Sequence, residues 1–147
     1  MSSEEVLEQF NEGYDCGQVV FRYWAKKLGF DENTALKIAT GFGAGMLQGE
    51  TCGAVIAAYL AMGLQYGHCD TGDVGAEQKV RALKKNTEFR EMFLEKYPAT
   101  LCNTLLGADF TTSEGQKLIR EKQLMTSFCP QLVSDVIAIL EEIMYVQ

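Results

Sequence analysis

The residues that most constrain the fold are Gly53, Ala57 and Ala61, one small side chain at every fourth position of an apolar stretch. On a helix they share a stripe, and a stripe with almost no side chain lets a neighbouring backbone approach closely. The helix predicted over residues 52–66 therefore belongs at the centre of a bundle, covered on most sides. Its apolar run is too short to cross a bilayer.

Elsewhere the apolar residues repeat at helical spacing. Val6, Leu7 and Phe10 predict a short helix over 3–13, ended by Gly13. Asp15 is placed to cap a second helix reaching residue 28, with Val19, Val20, Tyr23, Trp24 and Leu28 inward and Gly29 closing it. Asp31 predicts a third, burying Ala35, Ile38 and Ala39, before Gly41, Gly43, Gly45 and Gly49 break regular structure into a glycine-rich loop. Residues 67–75 read as a polar, turn-rich loop. A long amphipathic helix over 76–97 sets Val80, Leu83, Phe89, Phe93 and Leu94 against a charged, solvated face. Pro98 allows a new start, so 99–106 reads as a short helix with Cys102 in its opening half and Gly107 at its end. Thr111, Thr112 or Ser113 can cap a helix carrying Leu118 and Ile119. Pro130 suits the first position of a last helix, with Cys129 at or beside its cap and Leu132, Val133, Val136, Ile137, Leu140 and Ile143 inward. No alternating strand, repeat, linker or second domain is legible. The expectation is an all-α, compact multi-helix single domain over 1–147.

With 147 residues, 47% of them apolar, one ordinary core can form without staples. The 13 basic and 20 acidic side chains give a formal charge of -7, which disfavours nucleic acid and anionic lipid as partners. Met1-Ser2-Ser3-Glu4-Glu5 has neither the basic nor the apolar part of a secretory signal, and no stretch of about 18–20 apolar residues follows. A soluble, cytoplasmic protein without a membrane span is expected; the sequence is compatible with a homo-oligomer. Five cysteines are an odd number for a disulfide framework, so metal binding or thiol redox chemistry ranks ahead of stapling.

No two cysteines form a C-x-x-C pair, so any site must be assembled by the fold. Cys16, Cys52, Cys102 and Cys129 each fall near a predicted helix start, where free N–H groups and the positive dipole end favour a thiolate. Taken singly, each is the kind of small residue that packs in a core. Their shared placement makes one common site the sharper expectation.

The same four positions carry a resemblance. Residues 14–20 around Cys16, 49–55 around Cys52, 101–109 around Cys102 and 129–133 around Cys129 resemble the redox-active family marked by four cysteines in the order C…CGAxxG…C…C. Ala57 stands where that motif has its last glycine, and Cys69 has no counterpart in it. The resemblance implies a redox role without a defined substrate. A related four-cysteine domain accompanies split-Soret cytochromes and is associated with an iron–sulfur centre. Four thiolates could complete such a cluster, hold zinc, or cycle as disulfides.

Three functions stay open. One is an electron carrier with Cys16, Cys52, Cys102 and Cys129 as ligands to a metal or iron–sulfur centre, serving an unidentified redox partner protein. Another is a thiol–disulfide oxidoreductase with Cys52 as nucleophile. The third is a helical interaction module whose cysteines pack or hold zinc. In the first two, the loop through Gly43, Gly45 and Gly49, with Gly53 beyond it, is expected to bring backbone N–H groups to a cofactor or sulfur beside Cys52. A phosphate loop is disfavoured, because no strand precedes these glycines and no Lys-Ser/Thr follows them. His68, Cys69, Asp70 and Asp73 read as turn chemistry without the spacing of a calcium loop, and Cys69 is expected to be exposed and dispensable. His68 is the sole histidine, which gives little support to serine hydrolase or cysteine protease chemistry.

Overall fold

Asp15 accepts a hydrogen bond from the Gln18 backbone at 3.0 Å, and the Gln18 side chain accepts one from the Asp15 N–H at 3.1 Å. This reciprocal cap fixes the start of α2 (Cys16–Lys27), as expected from the sequence. A computed structural model describes residues 1–144. Around α2 it arranges α1 (Ser3–Asn11), α3 (Glu32–Ala39), α4 (Gly53–Tyr66), α5 (Gly72–Lys96), α6 (Cys102–Leu106), α7 (Ser113–Glu121), α8 (Leu124–Ser127) and α9 (Cys129–Ile143). Among the described residues there is no strand, and the chain is an all-α single domain.

The small-residue stripe is where α4 meets α2. Gly53, Ala57 and Ala61 are buried, and a Cβ on Gly17 of α2 would lie 3.2 Å from the Gly53 carbonyl oxygen. Side chains of ordinary size at either position would hold the two helices apart. Trp24, Val19 and Val20 of α2 fill the core with Val133, Val136, Ile137 and Leu140 of α9. The segment Leu124–Ile143 is long and apolar enough to span a bilayer by length and composition, yet these α9 residues are spent on the core of the bundle.

Several boundaries and faces differ from expectation. The loop after α4 is shorter than 67–75, because Gly72 already opens α5. α6 begins only at Cys102, and the short α8 was not foreseen. Ile38, Val80, Leu83 and Leu94 are exposed, not inward. α5 packs chiefly on α4 and α9, so its buried face is narrow and falls on Phe89 and Phe93. From Tyr59 the rings run through Phe89 (5.7 Å), Phe93 (5.9 Å), Tyr97 (5.0 Å) and Phe128 (6.1 Å), centroid to centroid. The chain of rings joins α4 to the foot of α9.

Phe93 is fully buried in the middle of this ladder. Phe93→Ala is expected to cost about 3–5 kcal/mol, read from urea unfolding, because it removes a ring and leaves a cavity between its two neighbours.

Candidate functional site

The chain closes a small clip between two distant segments. The Cys52 N–H donates to the Thr100 carbonyl at 2.8 Å and the Cys102 N–H donates to the Glu50 carbonyl at 2.7 Å, around an antiparallel bridge of Thr51 with Leu101. α4 and α6 both start at this clip, so Cys52, at the cap of α4, and Cys102, at the first position of α6, are held side by side. Cys16 arrives from α2 across the Gly53 contact: a Cβ on Gly53 would lie 2.8 Å from the Cys16 Sγ. Cys129 opens α9, with Pro130 behind it.

All four cysteines line one cavity of about 20 Å³, together with Ala44, Gly53, Leu105, Leu106, Met125, Phe128 and Leu132. That volume takes about one water-sized group. No carboxylate or imidazole is among its lining residues. Cys16, Cys52 and Cys102 are buried, Cys129 is half-buried, and all are free thiols. Cys16 and Cys52 are neighbours in this cavity, close enough for the state of one thiol to bear on the other. Among the described residues no group of three or more His, Cys, Asp or Glu side chains has the spacing of a formed metal site. The soft, all-sulfur donor set suits zinc or an iron–sulfur centre in kind. A cluster is larger than this cavity.

Helix starts were expected to favour thiolates here, and for three of the four the balance runs the other way. The neighbouring Cys52 thiol, then burial, pushes the Cys16 thiol well above its ordinary range, and only the Ala44 backbone N–H opposes this. Burial raises Cys102 to about 11, with the Cys16 charge adding to it. Burial also raises Cys129 to about 12, helped by the charges of Cys16 and Cys102. An apolar cavity disfavours the charged form more than a dipole end supports it.

Within the glycine loop, the Ala44 backbone N–H lies where it favours the Cys16 thiolate. Ala44, Met46 and Leu47 share the loop's left-handed backbone with Gly45 and Gly49. Gly43, Gly45 and Gly49 make room for protein neighbours: added Cβ atoms would meet Asp15 Oδ2 at 2.6 Å, the Glu50 backbone N at 2.4 Å and Asn103 Oδ1 at 1.8 Å. Only Gly53 of the four glycines lines the cavity. Asn103 also accepts from the Phe110 N–H at 2.8 Å, which ties the segment after α6 back to its first turn. Cys69 is exposed in the turn before α5, away from the cavity.

Sequence reasoning missed Ala44, Met125, Phe128 and Tyr97. Tyr97 donates to Asp135 Oδ2 at 2.7 Å, and its phenol is pushed up by burial first, then by Asp135, with Cys52 and Cys129 adding. A tyrosine at a helix end carries no local signal of such neighbours.

Two outcomes follow from this geometry. Gly53→Ala is expected to lose about 1–3 kcal/mol, since its Cβ would sit 2.5 Å from the Phe42 carbonyl oxygen as well as against the Cys16 sulfur. Gly63→Ala on the same helix, where no atom lies within 4 Å of the added Cβ, should instead gain about 0.4–1 kcal/mol in the same urea titration. In the reduced, metal-free protein, raised thiol values mean that the unfolded chain releases protons first as pH rises. The stabilisation is complete below the ordinary thiol value of 9.0 and is lost toward about 11 and about 12. Urea midpoints between pH 8 and pH 11 should fall less steeply in Cys102→Ala and Cys129→Ala than in the parent chain.

The family model described as "Putative redox-active protein (C_GCAxxG_C_C)" matches residues 14–143, from the residue before the α2 cap to the last residue of α9. No curated protein and no solved structure matches the chain. With all four cysteine segments inside that span and their side chains on one cavity, the chain belongs to the C_GCAxxG_C_C redox-active family.

Proposed function

We propose that the protein is an electron carrier that holds a metal or iron–sulfur centre through Cys16, Cys52, Cys102 and Cys129. One observation carries the reading: four thiols from four helix starts face a single apolar cavity that offers no other ligand type. Thiolates crowded in such a cavity raise one another's pKa, and a soft cation relieves that repulsion. A bound iron–sulfur centre would supply one-electron transfer, which zinc would not. The chain's own residues exclude water through Leu106, Phe128 and Leu132, and donate the Ala44 N–H to the Cys16 sulfur. The cavity must widen to admit a cluster, and the short α6 and α8 supply part of its wall. Gly53 gives the cofactor its one close approach to glycine backbone in this wall.

The closeness of Cys16 to Cys52 in the cavity favours a second reading, a dithiol–disulfide couple without metal. In that reading the two thiols lose two electrons and two protons to a disulfide acceptor, which becomes two thiols. Cys52 attacks and Cys16 resolves.

Protein purified without oxygen and assayed for iron, zinc and acid-labile sulfide separates the two. Iron with sulfide in the parent chain, lost in Cys52→Ser and kept in Cys69→Ser at unchanged helical circular dichroism, is the expected result. Metal-free protein whose Cys16 and Cys52 join reversibly under oxidised glutathione, seen by peptide mass mapping, would replace the metal reading by the dithiol one. A cavity whose thiols neither bind metal nor oxidise would defeat both.

A further inference from the structure

A second cavity, a groove of about 580 Å³ between α7 and α8, touches the cysteine cavity through one residue. Met125 lines both. Phe110, Ile119 and Met125 give the groove an apolar floor, and Gln116, Gln123 and Arg120 give it polar edges. Arg120 is its only charged lining residue, in a chain of formal charge -7. The Arg120 guanidinium makes no hydrogen bond or ion pair among the described residues, while Lys117 on the same helix is matched with Glu121 at 3.7 Å. An unmatched cation over an apolar floor is suited to a carboxylate on an apolar body. The partition is also weakly held. α8 is four residues long with none of them buried, and it is entered through Gln123 at a left-handed φ of 51°.

We propose that this groove binds a small organic anion with an apolar body and presents it to the cysteine cavity across the side chain of Met125. Arg120 fixes the anionic end, the Phe110 and Ile119 side chains take the apolar part, and Met125 sets how much of the ligand reaches the sulfurs. Binding stands on the groove alone; its delivery to a working redox centre rests on the function proposed above.

The test uses the full chain and two probes. Benzoate, with its ring and carboxylate, is titrated while the methyl signals of the methionines are followed by NMR, Met125 being assigned from Met125→Leu. The expected result is a saturable shift of the Met125 methyl, weakened about two- to fivefold in Arg120→Gln and with benzyl alcohol in place of benzoate. A stationary Met125 signal, or equal affinity in Arg120→Gln, overturns the binding site whatever the cysteines do. Delivery is tested on reduced, metal-free protein by comparing iodoacetate with the neutral iodoacetamide, with the alkylated cysteines read by mass mapping. Arg120→Gln should lower the iodoacetate-to-iodoacetamide rate ratio at Cys102 and Cys129 by about two- to fivefold, and Met125→Ala should raise both rates. Unchanged ratios and rates beside normal benzoate binding overturn delivery to the cysteines. Loss of metal or dithiol chemistry in the parent chain, with both probes behaving as expected, would instead count against the proposed function and leave the groove standing.

Discussion

Two backbone hydrogen bonds, from Cys52 to Thr100 and from Cys102 to Glu50, hold the site together. Each contributes only about 0.5–1.5 kcal/mol. Their consequence is geometric, since they place the first residues of α4 and α6 against one another and thereby set two of the four thiols. The glycine loop serves the same junction. Gly45 lies against the Glu50 backbone and Gly49 against Asn103, so a side chain at either position would push the clip apart. Those glycines fit by combining left-handed backbone with an absent Cβ.

The third thiol depends on how closely two helices can approach. Gly17 and Gly53 let α2 and α4 come within backbone contact, and this brings the Cys16 sulfur against Gly53 and into the cavity that Cys52 lines. Cys129 follows from the turn at Phe128, whose ring sits between Tyr97 and the cavity. The core and the site thus share their supports: the aromatic ladder that anchors α5 ends on the wall of the cysteine cavity.

Burial governs the chemistry that results. Helix starts contribute about 0.3–1 kcal/mol toward an anion at exposed positions. Inside an apolar cavity the loss of water outweighs that, and Cys16, Cys102 and Cys129 are poised as neutral thiols until a cation or an oxidant meets them. A site of this kind is quiet at rest, which suits the carrier role proposed above, since a carrier must not react with every passing electrophile.

The sequence by itself determined the helical class, the caps at Asp15 and Asp31, the small-residue stripe of α4 and the placing of four cysteines at or near helix starts. Those features are local, written in hydrogen bonds a few residues long and in a 3.6-residue period. The outward turn of Val80, Leu83 and Leu94 was not legible, because an amphipathic pattern marks a face without saying how many neighbours will cover it. The convergence of the four cysteines had a sequence signal only in their shared position and motif. Which thiol meets which, that the Ala44 N–H turns to Cys16, and that three of these thiols favour the protonated form were decided by the tertiary structure. Pairing across distant segments and the exclusion of water exist only once the helices have packed.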